Sequence, residues 1–325
     1  MKKRVLLGLM LLIISSSMIF ANGAAETAPK TSTDDGTIKV AILLKTLADP
    51  FWVSMADGIK EEAASQGILC DVYAVQSEAD IAGQLKKLED IVNSGEYDGI
   101  GVAPITATNC ISGVVAANKA GIPVVNIDAK FDEKALKEAG GYIIGFATSD
   151  NEKVGAMAGE YLLKTIPEGG KVAVIEGRAG DLSSELRCGG FESAIKGSNF
   201  VITDSQPADW DRQKALNVAT NIISKTPDIK AFYIANNTMA LGVLQAIRNA
   251  GKIGDILCIG TDASEETNIA IKAGEMVSVC QSPAGIGATC FNILVDAIKA
   301  GEKGSLDYAP VNKLVSANLV TSADL

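Results

Sequence analysis

The chain has 325 residues, 29 Lys plus Arg against 39 Asp plus Glu, a formal charge of −10, 5% aromatic residues and no histidine. Without histidine there is no Ser-His-Asp or Cys-His nucleophilic system, no histidine-ligated metal, and no side chain whose unperturbed pKa falls between roughly pH 5 and 8; the acidic balance also lacks the basic surface on which nucleic-acid affinity rests, so no nucleic-acid partner is expected. Such a length with 47% hydrophobic residues implies about two domains, because single cores stop growing before it.

Lys2, Lys3 and Arg4 precede a mostly apolar run, 5–20, broken by Ser15, Ser16 and Ser17 and followed by Ala21-Asn22-Gly23. The run is short for a membrane span and ends in small residues, which is the pattern of a cleaved secretory signal peptide over 1–23. Its removal takes three positive charges and no acid, so the exported chain carries about −13. Residues 24–36 have no periodicity and read as a linker.

From residue 39 onward, short β-branched runs alternate with helical patterns. Strands are expected at 39–44, 69–73, 99–102, 124–127, 142–146, 171–176, 200–205, 231–234, 256–261 and 277–281. Helices are expected at 52–66, 80–94, 107–120, 152–165, 213–225 and 239–250, with Gly67, Gly121 and Gly251 as their stops. Alternating strands and helices mean parallel βαβ units. Ten strands are many for one sheet, and the series divides near Thr148-Ser149-Asp150-Asn151. The expected fold class is therefore α/β with two Rossmann-like lobes. The six cysteines are widely spaced without a CxxC pair, which disfavours metal and redox sites and suggests buried thiols.

In open α/β sheets ligands bind beyond the carboxyl ends of the strands. The positions that follow strands here include Lys45, Asp49, Phe51 and Trp52, then Asp128 and Lys130, then Arg187, Trp210, Asn236 with Asn237, Asp262 and Gln281. Carboxylates, amides, Lys and Arg grip vicinal hydroxyls, while aromatic rings stack on C–H faces, so this set suits a neutral polyol. No GxGxxG stands at a strand-to-helix turn and there is no GxxxxGK[ST], so no nucleotide cofactor is expected, and no cofactor of another kind is implied.

Five segments in order carry a resemblance: KTLADPFW at 45–52, QPADWDRQKALNVATN at 206–221, ANNTMALG at 235–242, IGTDA at 259–263 and CQSPAGIGA at 280–288. Together they resemble the periplasmic sugar-binding proteins of bacterial ABC importers, the ribose-binding-like (type I) family, and among these its allose-type members. The resemblance covers nearly the whole exported chain. It implies that Lys45, Asp49 and Phe51 touch sugar from the first lobe, that Trp52 stacks, and that Asp128 grips hydroxyls. Lys130 completes the Asp-x-Lys of the allose type, Arg187 matches the cleft arginine of the second lobe, and Trp210 stands where ribose-type members have Phe. Asn236, Asp262 and Gln281 complete the site. Asn237 departs from the Asp that is common there.

The resemblance further implies a type I binding-protein fold with a three-segment hinge, crossing near Ser149, Ser282 and Asn312. One lobe then comprises 37–149 with 282–312, and the other 150–281 with 313–325. It implies a monomer in the periplasm with an allose-like monosaccharide, or a related hexose or pentose, as ligand. The membrane permease of an ABC importer with its ATPase would be the partner, and a chemoreceptor the alternative.

Each residue alone also has an ordinary reading. Asp49 and Pro50 open a helix, Trp210 fits a core, Lys130 and Arg187 suit solvent, and Asp128 and Asp262 cap loops. A glycosidase would need one carboxyl kept protonated, whereas neighbouring Lys and Arg hold carboxylates ionised, so a binding protein is expected rather than an enzyme. The absence of histidine implies an affinity that varies little between roughly pH 5 and 8.

Overall fold

Strand β1 (Lys39–Thr46) sets the plan of the first lobe. Val40, Ile42 and Leu44 enter one apolar cluster, Ala41 and Leu43 another, and all five are fully buried. Side chains alternate across a strand, so an unbroken apolar run means that both faces of the sheet are covered. Helices α1 (Pro50–Gln66) and α10 (Pro283–Lys299) supply one cover; α2 (Ile81–Ser94) and α3 (Ile111–Lys119) supply the other. These facts come from a computed structural model that describes residues 36–325. The expected signal peptide, 1–23, and all of the linker except Gly36 lie outside the described residues.

The first sheet also contains β2 (Leu69–Val75), β3 (Gly99–Val102), β4 (Val124–Ile127), β5 (Gly145–Ser149) and, from far along the chain, β11 (Val311–Val315). Its order is β11-β5-β4-β3-β1-β2, parallel throughout, with the short helix α4 (Glu133–Glu138) between β4 and β5. The chain then crosses into α5 (Asn151–Thr165) and repeats the plan with β6 (Gly170–Glu176), α6 (Leu182–Ile195), β7 (Phe200–Pro207), α7 (Arg212–Lys225), β8 (Ile229–Ile234), α8 (Asn237–Asn249), β9 (Leu257–Thr261), α9 (Glu265–Lys272) and β10 (Val277–Cys280). With β12 (Asn318–Val320), the second sheet runs β12-β10-β9-β8-β6-β7. The two orders match position by position. The core of this lobe is one cluster, in which the rings of Phe191 and Tyr233 stack with centroids 4.5 Å apart.

The expected two-lobed α/β class and all ten expected strands are present; several details differ. The fifth strand begins at Gly145, not at residue 142. Tyr142 to Ile144 form its approach, and the ladder pairs Gly145 with Val125 and runs on through Ala147. Its polar end, Thr148-Ser149, is buried at the crossing between lobes, where the expected strand series divides. The pair β11 and β12 was not anticipated, because its residues are largely exposed and carry no apolar alternation. Strand β11 stays paired to β5 through Val315 while β12 pairs in the second sheet, so residues 313–315 lie with the first sheet, a few residues beyond the boundary expected near Asn312. Strand β12 joins β10 antiparallel, the exception in otherwise parallel sheets.

All six cysteines are free thiols. Burial pushes them up to about 12, so they behave as small hydrophobes. Among the described residues no helix is long and apolar enough to cross a membrane.

Candidate functional site

The carboxyl ends of both sheets face a common cleft. Its first-lobe wall begins at the end of β1, where Lys45 is buried, and continues into the first turn of α1. Asp49 caps that helix, its Oδ1 accepting the N–H of Phe51 at 2.9 Å. The cap uses one carboxylate oxygen; the other accepts the hydroxyl of Thr238 from the second lobe at 3.3 Å. The helix-cap reading of Asp49 therefore holds for one oxygen, while the other faces the second lobe. Phe51 and Trp52 meet edge to face, centroids 5.1 Å apart, and Lys45 Nζ lies 5.4 Å from the Trp52 ring.

Asp128 and Asp262 occupy equivalent places, directly after β4 and β9. Both take left-handed backbone angles, φ 53 and φ 65, and both donate their N–H to the neighbouring strand, to Ala147 O and Val279 O at 2.9 Å. A non-glycine residue held there costs about 1 kcal/mol, and such strain gathers where a side chain must be aimed. Thr148 donates to Asp128 at 3.1 Å; the Gln281 amide donates to Asp262 at 2.8 Å.

Arg187 stands between them on α6. Its Nε donates to Asn151 and its Nη1 to the carbonyl of Ala235, each at 2.8 Å, and Nη1 lies 3.9 Å from Asp262. Glycines on α5 and α6 make this possible: a Cβ on Gly155 would strike the Arg187 carbonyl and one on Gly190 the Glu152 carbonyl, so the two helices cross backbone to backbone. Trp210 lies across Gly177 in the same way, in a left-handed conformation of φ 64, and its indole N–H donates to Asp181 at 3.3 Å.

Electrostatics follow from enclosure. Burial pushes the carboxyls of Asp128 and Asp262 above the ordinary carboxylate range, opposed chiefly by Arg187. Asp49 is raised by burial too, with the charges of Asp262 and Glu78 adding to it. For Asp181 burial acts upward but is outweighed by Lys45, Ser183 and Arg187, which hold it below the usual range. The result is a cavity that presents both signs of charge beside aromatic faces.

Of the residues expected to form the site, Lys45, Asp49, Phe51, Trp52, Asp128, Arg187, Trp210, Asn236 and Asp262 line this cavity. Asn236 does so while its Oδ1 caps α8 through Met239 N at 2.9 Å. Gln281 is buried behind Asp262 and reaches the cleft through it; its Oε1 has no hydrogen-bond partner. Lys130 lies in the adjoining part of the cleft, which shares Lys45, Asp128, Asp181 and Ser183 with this cavity. It pairs with Glu133 at 2.7 Å in the first turn of α4, with its Nζ 5.9 Å from the Phe146 ring. Glu78, Asp181 and Ser183 also line the cavity, and sequence reasoning missed them. Glu78 follows β2 and Asp181 follows β6, so the rule of examining strand ends would have found both had it been applied to every strand. Asn237, noted only as a departure from a family pattern, lines the cavity with a buried Oδ1 that has no partner.

Two matched open sheets joined by three crossings, with a polar and aromatic cleft between them, define a two-lobed binding protein of type I architecture. The chain belongs to the periplasmic binding protein domain family, whose model matches residues 40–303. It is 48% identical to the D-allose-binding periplasmic protein of Escherichia coli over 86% of this chain and 91% of that one. It is 34% identical to the ribose import binding protein of Salmonella typhimurium over 85% and 90%. Among solved structures, a periplasmic solute-binding protein of an ABC transporter from Actinobacillus succinogenes, with bound D-allose, aligns at TM-score 0.82 and 29% identity over 89% of this chain and 99% of that one. One from Agrobacterium vitis with bound D-fucose aligns at TM-score 0.79 and 27% identity, covering 88% and 96%.

Proposed function

We propose that this protein is an exported, periplasmic sugar-binding protein that captures an allose-like monosaccharide between its lobes and delivers it to the permease of an ABC importer. The observation that carries the reading is the make-up of the cleft: carboxylates and cations from both lobes, set beside Phe51, Trp52 and Trp210. A sugar offers hydroxyls that are each donor and acceptor, and apolar C–H faces. Carboxylates accept from those hydroxyls, Arg187 and Lys45 donate to them, and the aromatic walls cover the ring. The likeness to the Escherichia coli relative supports allose over ribose.

Contacts from both lobes form together only when the cleft closes, so ligand shifts an open–closed equilibrium by its differential affinity for the two states. Closure presents to the permease a surface built from both lobes. No bond changes in this cycle, in keeping with the sugar-binding transport proteins that the chain resembles.

Calorimetry with allose, ribose, psicose, galactose, xylose and glucose tests the ligand. Allose should bind most tightly and be recovered unchanged; failure of every sugar to bind below about 1 mM, about 4 kcal/mol, would overturn the assignment. Pull-down against the cognate permease and against chemoreceptors separates the two outputs, with retention by the permease expected.

A further inference from the structure

Glu78, in the loop after β2, divides its carboxylate between two tasks. Oε1 accepts the indole N–H of Trp52 at 3.2 Å, and Oε2 accepts Nη2 of Arg178, from the loop after β6, at 3.1 Å. The first bond lies within the first lobe; the second joins the lobes. The second lobe repeats half of the device, since Asp181 accepts the indole N–H of Trp210. Lys45 Nζ stands 3.8 Å from both acids. A buried indole N–H needs an acceptor, and its acceptor fixes the rotation of the ring.

We propose that Glu78 is a positioning residue for the Trp52 stacking wall and, with Arg178, a latch that holds the closed cleft shut. The inference rests on the monosaccharide reading, because an uncharged ligand adds no ion pair of its own to closure. The pair is made between protein atoms directly, so it acts on closure whichever sugar lies below it. Its side chains keep 17% and 28% of their surface, so solvent and salt reach them. A pair of that kind slows opening by about threefold to fivefold and is screened as ionic strength rises.

Sugar release followed by tryptophan fluorescence in stopped flow, for the wild type, E78Q, R178M and the double variant, tests this. Glutamine keeps an oxygen for the indole but loses the charge, and methionine keeps the length of Arg178 without it. Each single variant should release sugar about threefold to fivefold faster, the double variant no faster than either, and the wild type should speed up more than any variant between about 50 and 500 mM salt. E78A should in addition shift the tryptophan emission, which E78Q leaves in place. Equal release rates, costs that add in the double variant, or a wild type indifferent to salt would overturn the latch; because Arg178 lies on a loop, R178M carries the test even where Glu78 variants are unstable. If the wild type binds no sugar, the functional reading fails separately. The latch is then decided by small-angle X-ray scattering of the unliganded protein, where R178M must show a larger radius of gyration and an equal one refutes it.

Discussion

Arg187 is buried to 5% exposure and is the principal positive charge facing the enclosed carboxylates of Asp128 and Asp262. Removing one partner of a buried charge set leaves the others uncompensated, at about 3 kcal/mol or more. R187M should lower urea-denaturation stability by about that amount and abolish sugar binding, and adding D262N should recover part of the stability but not the binding. Trp210 makes a different prediction. Loss of one stacking face costs about 1 kcal/mol, so W210A should bind about fivefold more weakly in calorimetry while folding normally; unchanged affinity would remove Trp210 from the site.

The absence of histidine implied an affinity that varies little with pH, whereas the pH dependence of stability is set by the enclosed carboxyls. Asp49, Asp128 and Asp262 all have carboxyls raised above the ordinary value of 3.8, so between that value and their folded values the native state binds more protons than the unfolded chain. Stability from these groups therefore increases as pH falls into that window and is lost as pH rises through the folded values. Asp181, held low by Lys45 and Ser183 despite its burial, contributes the other way: its stabilisation is present above 3.8 and lost as pH falls through its folded value. D128N should accordingly gain less stability than the wild type on acidification from neutral pH toward 3.8, measured by denaturation at each pH.

Among the elements, the crossing of α5 and α6 has the least tolerance. Gly155 and Gly190 face backbone carbonyls on the opposite helix, and Arg187 is carried by the same contact. Forcing a methyl into such a contact costs about 1–3 kcal/mol, so G155A should lower the melting temperature and weaken binding through misplacement of Arg187. A variant with wild-type melting and affinity would show that the helices can separate freely. Element identity was legible where burial was two-sided: the run from Val40 to Leu44 announces a covered strand. The bounds of β5 were not legible, because the apolar run Tyr142 to Ile144 precedes the ladder and the strand ends at Thr148-Ser149. Nor were β11 and β12, whose places are set by partners distant in sequence.

At the scale of the whole molecule, ligand that binds only the native state raises stability by mass action. Sugar at about a hundred times its dissociation constant should add about 2.7 kcal/mol, read as an upward shift in melting temperature that non-ligand sugars do not produce.

Sequence by itself determined the two-lobed α/β plan and most of the candidate site, because parallel strands write their burial into an apolar run and place functional residues directly after it. It singled out Asp128 and Asp262 as strand-end acids without knowing that both sit at matched left-handed positions. Tertiary structure alone decided which strand-end residues share a wall. Lys130 follows the same strand as Asp128 and pairs with Glu133 in the adjoining part of the cleft, while Glu78 and Asp181 reach the cleft from loops far apart in the chain. The physical reason is that a local pattern reports which surface a residue leaves, whereas what it meets depends on two lobes approaching, with contacts such as that of Glu78 with Arg178 existing only between them.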